Sequence, residues 1–330
     1  MNRPWLLTGG AGYIGAHVAE VFAAAGREVV VVDNFCTSGP VEEVEGRLPA
    51  GTAVVALDLG DTAGLQEVMT RYEVGGIVHL AARKSPTESM TDPLLYTRDN
   101  VTGTASLVTA ARAAGVGRIV FSSSCSVYGN PAAAVVEESA PYAPISPYGW
   151  SKTYGEHLMN AAAQAYGLQV VNLRYFNVAG TSSPALADRG AYNLIPLALA
   201  AITAGREPVI FGDDYPTPDG TCVRDYVHVV DLAEAHLRAA LHLEQDAEAP
   251  PASTFNVGTG RGSSVREVLD ELRVVSGIDF VPRVLERRPG DPASIVGSVA
   301  AIRRELGWQS RYSLHDMVSS AWEARLTRTG

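Results

Sequence analysis

The fold of this chain is decided by residues 5–15, which read WLLTGGAGYIG. The segment Trp5–Thr8 is apolar enough for a buried strand. The glycines that follow give the pattern GxGxxG, in which the backbone turns tightly and approaches a phosphate closely. A helix that starts at this point presents its N-terminal amides and the positive end of its dipole to that phosphate. The stretch therefore predicts a strand, an anion-binding turn and a helix over Tyr13–Ala25.

An acidic residue follows the next predicted strand. The strand covers Glu28–Val32, and Asp33 closes it. A carboxylate at this place accepts hydrogen bonds from the ribose diol of an adenosine and repels a 2′-phosphate. The pattern predicts a dinucleotide site in which NAD is favoured over NADP. Asp58 and Leu59 end the third strand, where we expect the adenine edge, although capping of a helix is an alternative for Asp58.

Strand-like and helical segments alternate through the first half of the chain. Further apolar strands are predicted over Thr52–Leu57, Gly76–Leu80, Arg118–Ser122 and Gln169–Arg174, with helices near 62–72, 94–114 and 148–166. Strands that are apolar on both faces are typical of a parallel sheet covered by helices on both sides. The predicted fold class is therefore α/β, with a Rossmann-like doubly wound parallel sheet.

The regular alternation of strands and helices ends after residue 176, where Pro and Gly become frequent. Helices are predicted near 192–204, 229–243, 264–276 and 313–326, with a strand near 208–211. The acidic, Ala/Pro-rich segment Glu244–Ser253 is interpreted as a surface loop. We expect residues 1–176 to form the cofactor domain. Residues 177–330 then form a smaller C-terminal α/β substrate lobe, from which the chain crosses back to the first domain.

Composition limits the classes of partner and compartment. The net charge of -10 argues against nucleic acid, since phosphate contacts need clustered Lys and Arg. The three cysteines, Cys36, Cys125 and Cys222, lie far apart, so neither a disulfide framework nor a metal site is predicted. The first strand leaves no room for a signal peptide, and no apolar stretch is long enough to span a bilayer. A cytoplasmic location is expected.

A tyrosine and a lysine lie one helical turn apart in the predicted helix 148–166. Tyr148 and Lys152 share a helix face at i and i+4. A nearby cation favours the phenolate, so Lys152 and an oxidised nicotinamide are expected to lower the pKa of Tyr148 toward the range of a general base. Ser124 closes an apolar strand, where its hydroxyl can hydrogen-bond a sugar O4. The three residues predict redox chemistry on a hydroxyl group.

These motifs resemble the extended short-chain dehydrogenase/reductases and, more narrowly, the UDP-glucose 4-epimerases along nearly the whole chain. The most specific segment is 215–221, which reads YPTPDGT. Other segments that carry the resemblance are Thr8–Gly15, His79–Ala82, Glu88-Ser89, Asn100-Val101, Ser122–Ser124, Val127–Gly129, Ser146–Tyr148, Leu173–Asn177 and Val223–Tyr226.

The resemblance implies a reaction without net redox change. In that family NAD stays bound, a base removes the proton from the sugar O4, and a transient 4-ketose rotates before hydride returns to its other face. By resemblance, Tyr148 is the base, Ser124 orders or relays the proton, and Lys152 lowers the Tyr148 pKa and holds the nicotinamide ribose. Tight NAD binding and a closed site retain the hydride and the ketose.

The resemblance also implies two sets of binding residues. The NAD set is Gly9, Gly12, Tyr13, Ile14, Gly15, Asp33, Asn34, Asp58, Leu59, Ala81, Lys84, Asp99, Ser122, Tyr148, Lys152 and Tyr175. The UDP-sugar set is Lys84, Ser124, Tyr148, Asn177, Asn193, Leu194, Phe211, Arg224, Tyr226, Arg288, Asp291 and Ile295. The two arginines match diphosphate ligands of the family, and Asp291 matches the residue that holds the uridine ribose.

The chain departs from the family pattern at three places. Residues 85–87 read Ser-Pro-Thr where a small residue, Val and Gly are usual, so this loop is expected to sit differently over the cofactor. Asp99 replaces a usual Asn and is expected to add negative charge near the nicotinamide. Ile295 occupies the position that gates N-acetylated sugars, and its intermediate size leaves acceptance of UDP-GlcNAc and UDP-GalNAc open.

The two residues after Ser124 argue against some related activities and leave others open. Sugar 4,6-dehydratases need an acidic pair there and nucleotide-sugar decarboxylases need a Glu, whereas this chain has Cys125 and Ser126. A UDP-uronate 4-epimerase shares the core chemistry and stays open. A non-catalytic NAD-sensing module is the alternative from another class, although such modules tend to lose the Tyr/Lys pair. By resemblance, helices 94–114 and 148–166 form a homodimer interface.

Overall fold

The computed structural model describes residues 3–190, 193–245, 250–288 and 291–329. Its main sheet has seven parallel strands in the order β10-β6-β5-β4-β1-β2-β3. These strands are β1 (Trp5–Thr8), β2 (Val29–Asp33), β3 (Ala53–Ala56), β4 (Gly76–His79), β5 (Arg118–Ser124), β6 (Gln169–Tyr175) and β10 (Ala252–Val257). The predicted α/β class with a doubly wound parallel sheet is confirmed.

Helices cover both faces of this sheet. The helices of the described ranges are α1 (Tyr13–Ala24), α2 (Val41–Glu45), α3 (Thr62–Arg71), α4 (Pro86–Thr91), α5 (Pro93–Tyr96), α6 (Gly103–Ala113), α7 (Pro147–Tyr166), α8 (Leu194–Thr203), α9 (Val229–Gln245), α10 (Val265–Ser276), α11 (Ala300–Leu306) and α12 (Leu314–Thr329). Of these, α8, α10 and α12 pack together in the C-terminal lobe, against its short strands. Side chains alternate along each strand, so Leu7 packs with Phe22 in one core while Leu6 packs with Leu107 in the other. Within the described ranges, no helix is long and apolar enough to cross a membrane.

The C-terminal half returns to the main sheet. Strand β10 pairs with β6, and α9 packs against α1. The predicted loop Glu244–Ser253 is therefore wrong at both ends, since α9 continues to Gln245 and β10 begins at Ala252. Its residues 246–249 lie outside the described ranges. Tertiary pairing with β6 explains the difference, because six residues without a strong apolar pattern form a strand only beside a partner.

A smaller sheet is built around β9 (Val223–His228). It pairs in parallel with β7 (Asn177–Ala179) and β13 (Ser294–Ile295), and antiparallel with β11 (Gly262–Ser264). A separate parallel pair joins β8 (Val209–Phe211) and β12 (Arg283–Leu285). These short strands position the C-terminal residues that face the carboxyl ends of the main sheet.

The helix predicted over 94–114 is interrupted. After α5, Thr97–Thr102 forms a π-helical turn before α6 continues. The turn leaves Asn100 buried, with its side-chain Oδ1 accepting from the Arg83 amide at 2.7 Å and its Nδ2 donating to the Ser151 hydroxyl at 2.9 Å. Local π-helical turns are frequent at functional sites, and this one ties the loop after β4 to helix α7.

Candidate functional site: a dinucleotide cavity beside a Tyr–Lys pair

The glycine turn between β1 and α1 is too tight for side chains. A Cβ added at Gly15 lies 2.3 Å from the carbonyl oxygen of Gly9, and one at Gly9 lies 2.7 Å from the backbone of Ala81. Gly9 also has a φ of 69°, a conformation that glycine adopts without strain. Among the described residues no side chain caps α1 at Gly12, so no side chain occupies the amides of its first turn. Such amides bind phosphate.

A cavity of about 360 Å³ opens above this turn, a size typical of ligand sites. Fifteen of the sixteen residues predicted to bind the dinucleotide line it: Gly9, Gly12, Tyr13, Ile14, Gly15, Asp33, Asn34, Asp58, Leu59, Ala81, Lys84, Asp99, Tyr148, Lys152 and Tyr175. Segments from the ends of β1 to β6 meet here, as expected for a parallel sheet whose ligand lies beyond the carboxyl ends of its strands.

Ser122 is the sixteenth residue, and the prediction for it needs correction. Its side chain is fully buried and is absent from the cavity lining, and its hydroxyl is paired with the His236 Nε2 at 2.9 Å. Its backbone carbonyl instead accepts a hydrogen bond from the Lys152 ammonium at 2.8 Å. Its position explains this, since Ser122 lies two residues before the end of β5, where α9 covers the strand and supplies His236 as the hydroxyl partner. Ser122 thus orients Lys152 from behind the cavity.

Asp33 is held rigidly at the end of β2. One carboxylate oxygen accepts from the Ala11 amide at 3.2 Å, and the other accepts from the Phe35 amide at 2.8 Å and the Ser38 hydroxyl at 3.2 Å. Burial raises the pKa of Asp33, while these donors lower it. At the neighbouring strand end, Asn34 donates to the Asp58 carboxylate at 2.7 Å. This is the polar, fixed environment that suits an adenosine ribose diol.

Several lining residues were not predicted. Residues 186–190 cross one side of the cavity, and Arg47 and Arg83 line it as well. The crossing segment reaches α2 through an ion pair of 3.0 Å between Arg189 and Glu43. Arg83 adjoins the predicted Lys84 and could have been found from that proximity. The approach of residues 186–190 has no local signal, since it depends on contacts between residues 146 positions apart.

Asp99 does not add an unbalanced charge. Its carboxylate pairs with the guanidinium of Arg83 at 2.9 Å and with that of Arg98 at 2.6 Å. Despite partial burial, these partners lower the pKa of Asp99. The prediction of extra negative charge at the cofactor is therefore wrong, because two arginines compensate for the carboxylate that replaces the usual amide.

The unusual Ser-Pro-Thr loop begins a short helix. Ser85 caps α4 by accepting from the Glu88 amide at 3.1 Å, and Pro86 occupies the first helical position. The loop is fixed further by Tyr96, whose hydroxyl accepts from the Ser85 amide at 2.9 Å and whose ring contacts that of Tyr148 edge-on. The Ser-Pro-Thr segment therefore forms an ordinary helix N-terminus beside the cavity.

Tyr148, Lys152 and Ser124 are brought together at the carboxyl end of β5. Helix α7 begins at Pro147, one residue before Tyr148, and Ser146 caps it by accepting from the Gly149 amide at 3.1 Å. All three side chains are buried, with exposures of 6%, 4% and 6%. A hydrogen bond from Ser124 to Tyr148 lowers the pKa of that phenol. The groups therefore occupy one desolvated corner, which strengthens the electrostatic effect of any charge there.

The pKa of Tyr148 differs from the expectation. Burial raises it to about 12, and the hydrogen bond from Ser124 opposes this shift only in part. Burial likewise lowers the pKa of Lys152 to about 8. The polypeptide alone therefore does not show the predicted lowering of the Tyr148 pKa by Lys152, because the lysine ammonium donates its hydrogen bond to the Ser122 carbonyl. A positively charged ligand beside the phenol favours the phenolate.

Strand β9 brings the predicted sugar-side residues together. Tyr226 lies opposite Asn177 on β7, and Arg224 lies opposite Ile295 on β13. The Arg224 guanidinium donates to the Pro292 carbonyl at 2.7 Å and lies 3.7 Å from the Asp291 carboxylate. Ile295 is buried in a cluster with Val127, Tyr128 and Phe176, just beyond Ser124. Desolvation raises the pKa of the Cys125 thiol to about 12, and the charge of Arg224 opposes this shift only in part.

The remaining sugar-side residues lie on neighbouring elements. The guanidinium of Arg288 stacks over the Phe211 ring, 3.7 Å from its centroid. Asn193 precedes α8 as its N-cap residue, and Leu194 packs in the apolar cluster that contains Tyr226. Asn193 makes no side-chain capping bond within the described residues. Arginine guanidinium groups and an amide are side chains that suit a diphosphate and its attached groups.

Together the groups fit a nicotinamide dinucleotide. The glycine turn accommodates a pyrophosphate, the fixed Asp33 carboxylate faces the ribose end, and the Tyr148–Lys152 pair lines the same cavity. A buried phenol, ammonium and serine hydroxyl can exchange a proton with a sugar hydroxyl while water is excluded.

Comparisons with known proteins agree with this geometry. The sequence profile of the NAD dependent epimerase/dehydratase family matches residues 5–258. UDP-glucose 4-epimerase of Azospirillum brasilense is 41% identical over 331 residues, which cover 98% of this chain and 93% of that protein.

Solved structures are similar over the whole chain. UDP-glucose-4-epimerase from Stenotrophomonas maltophila, with bound NAD and formylated UDP-arabinopyranose, gives a TM-score of 0.94 at 36% identity and 99% coverage of both chains. UDP-glucose 4-epimerase from Brucella ovis, in complex with NAD, gives a TM-score of 0.91 at 38% identity, covering 97% of this chain and 98% of that one. This chain belongs to the NAD dependent epimerase/dehydratase family.

Proposed function

We propose that this protein is an NAD-dependent epimerase that interconverts UDP-glucose and UDP-galactose by transient oxidation at C4. The observation that carries this proposal is the position of the buried Tyr148, Lys152 and Ser124. Tyr148 and Lys152 line the dinucleotide cavity, and the residues after Ser124 adjoin the smaller sheet, since Arg224 acts on the Cys125 thiol and Val127 packs with Ile295. Relatives at about 40% identity over nearly the full length carry the same activity. In this proposal the substrate and the cofactor therefore meet at these three residues, where the C4 hydroxyl of the sugar is oxidised.

The three buried residues have distinct roles in this proposal. Tyr148 takes the proton from O4 and later returns it, while Ser124, hydrogen-bonded to the phenol, orders that proton. Lys152, fixed by the Ser122 carbonyl, holds positive charge beside the phenolate. NAD, when bound, supplies a hydride acceptor and donor. Burial of the corner keeps water from the ketone and favours return of the hydride over release.

The two parts of the chain divide the ligands. Residues 1–176 provide most of the NAD site, and residues 186–190 of the second part line one side of it. The lobe from residue 177 onward holds the UDP group, although β10 and α9 of that half pack with the first domain. Arg224 and Arg288 bind the diphosphate through their guanidinium forks. Asp291, next to Arg224, accepts from the uridine ribose.

A substrate series tests the proposed function. Purified protein without added NAD is incubated separately with UDP-galactose, UDP-GalNAc and UDP-galacturonic acid, and the products are resolved by NMR. We expect UDP-galactose to give a mixture with UDP-glucose. We expect UDP-GalNAc to turn over at least tenfold more slowly, because Ile295, at the position that gates N-acetylated sugars, is packed and only 4% exposed. The uronate is included because a UDP-uronate 4-epimerase shares the core chemistry.

Other outcomes of this series decide between the alternatives. Equal turnover of UDP-GalNAc identifies a dual-specificity enzyme, and preferred turnover of the uronate identifies a UDP-uronate 4-epimerase. Absence of turnover on all three sugars, despite bound NAD, contradicts the proposed activity and favours a non-catalytic NAD-binding module.

An apolar surface supports a homodimer. Met90, Leu94, Trp150 and Tyr154 are 65%, 78%, 60% and 50% exposed, and they lie on α4, α5 and α7, which pack together. Large exposed apolar side chains that cluster mark interaction surfaces. We expect Trp150→Arg combined with Leu94→Arg to convert a dimer into a monomer in sedimentation analysis. The control is Val274→Arg, which is 73% exposed on α10 and leaves the dimer intact. A wild-type protein that sediments as a monomer contradicts this proposal.

A cytoplasmic location is the remaining part of the proposal. All three cysteines are free thiols, and Cys36 is exposed at the surface. An exposed thiol persists in a reducing compartment.

A further inference from the structure

A fully buried ion pair lies behind the proposed catalytic residues. Glu156 on α7 and Arg174 on β6 are 0% and 3% exposed. The pair is bidentate, with the Arg174 Nε 2.9 Å from Glu156 Oε1 and its Nη2 2.7 Å from Oε2. Bidentate geometry fixes the relative orientation of the two side chains.

Other donors complete the coordination of the carboxylate. The Ser123 hydroxyl donates to Oε1 and the Tyr142 hydroxyl donates to Oε2 at 2.8 Å, so each oxygen of Glu156 has at least two donors. On its other side, Arg174 donates to the Tyr128 hydroxyl at 2.9 Å. Desolvation of such a pair is costly and often offsets its attraction, so a stabilising role alone does not explain it.

The pair joins the elements that carry the reacting groups. Ser123 immediately precedes Ser124 on β5 and lies opposite Arg174 in the strand register. Glu156 follows Lys152 by one turn of α7, and both side chains are buried on the same helix face. A shift of the carboxylate therefore moves the strand end with Ser124, the helix with Lys152, or both.

We propose that Glu156, held by Arg174, is a positioning residue for the Tyr148–Lys152–Ser124 group. It clamps α7 to the ends of β5 and β6, and it places a fixed negative charge one turn from the Lys152 ammonium. The inference rests on the proposed function for the role of Lys152, whereas the clamp and the charge are features of the polypeptide.

The charged and titratable neighbours of Lys152 determine what this charge does. On its own helix these are Glu156 and Tyr148. From β4, His79 is kept neutral because burial lowers its pKa to about 3. From β5 come the Ser122 carbonyl at 2.8 Å and the Phe121 ring at 5.2 Å. Burial lowers the pKa of Lys152 to about 8, and Glu156 is the charge that raises it. Loss of this charge therefore favours the neutral amine at lower pH.

The chain offers a direct measurement, because Lys84 and Lys152 are its two lysines. Lysine-selective ¹³C labelling of the NAD-loaded protein gives two side-chain Cε signals, and Lys84→Arg assigns them. We expect Glu156→Gln to lower the titration midpoint of Lys152 by about one pH unit. We also expect the alkaline decline of kcat for UDP-galactose to move by the same amount, with a smaller change in KM.

Two further variants separate charge from folding. Glu156→Gln leaves a buried guanidinium without its counterion, so Glu156→Gln/Arg174→Gln is made as the neutral pair. We expect its Lys152 midpoint to move in the same direction by a smaller amount, because Glu156 is the charge that acts on Lys152 and the loss of Arg174 opposes its removal only in part. Tyr142→Phe removes one hydrogen bond to Glu156 but keeps its charge, so the Lys152 midpoint should stay at its wild-type value.

Each outcome decides the proposal. A lowered Lys152 midpoint in the charge-removing variants, with an unmoved one in Tyr142→Phe, supports it. An unchanged midpoint in Glu156→Gln and in the neutral pair overturns it, as does an equal shift in Tyr142→Phe. If the wild-type protein itself fails to convert UDP-galactose, the proposed function fails, while the NMR midpoints still decide whether Glu156 controls Lys152.

Discussion

Replacement of Tyr148 by Phe is expected to lower kcat for UDP-galactose by about 10²–10⁴-fold. The substitution removes only the hydroxyl, and the ring keeps its edge-on contact with Tyr96. No other phenol lies on the same face one turn before Lys152, and Ser124 alone is too weak a base at neutral pH. KM should change little, because the proposed diphosphate contacts are made by arginines of the C-terminal lobe.

The matched control uses the same helix. Tyr166 at the end of α7 is 50% exposed, so Tyr166→Phe deletes a hydroxyl without touching the site. We expect its kcat to equal that of the wild type. Both variants are compared in initial-rate assays with equal NAD content. Retention of more than a tenth of wild-type kcat by Tyr148→Phe contradicts the assignment of Tyr148 as the base.

Gly15→Ala is expected to abolish retention of NAD and to destabilise the fold. The added Cβ lies 2.3 Å from the Gly9 carbonyl oxygen and 2.6 Å from the Gly10 Cα, and both are backbone atoms that cannot rotate away. Overpacking of this kind costs about 1–3 kcal/mol. The turn must open, which displaces the amides at the start of α1. Absorbance of the purified protein reports its NAD content, and thermal unfolding reports its Tm.

Gly117→Ala is the control for this substitution. A Cβ at Gly117 meets no atom within 4 Å, so NAD content and Tm should stay close to those of the wild type. Gly15→Ala protein that purifies with full NAD and an unchanged Tm contradicts the role given to the glycine turn.

The part of this architecture that could be predicted from sequence is local. The strand, glycine turn and helix at residues 5–24 lie within one continuous segment, and Tyr148 and Lys152 are separated by a single helical turn. Backbone sterics and helix periodicity act over such distances, so residue type and spacing were sufficient. The fold class followed because each βαβ unit is itself local.

The rest depends on contacts between distant segments. The pairing of β10 with β6 and the approach of residues 186–190 to α2 each join elements far apart in sequence. The compensation of Asp99 depends instead on the side-chain directions of Arg83 and of the adjacent Arg98, which residue type and spacing alone did not give. The pairing of the Ser122 hydroxyl with His236 joins residues 114 positions apart, so a resemblance between motifs did not reveal it. The raised pKa of Tyr148 required knowledge of burial, since spacing indicated only the neighbouring lysine.

The central claim is oxidation at C4 with return of the same hydride. The most direct test is incubation of the purified protein with UDP-galactose that carries deuterium at C4, in ordinary water, followed by NMR of the UDP-glucose formed. The account predicts inverted configuration at C4 with the deuterium retained there and NAD unconsumed. Loss of deuterium to solvent, or formation of no UDP-glucose while NAD is bound, contradicts it.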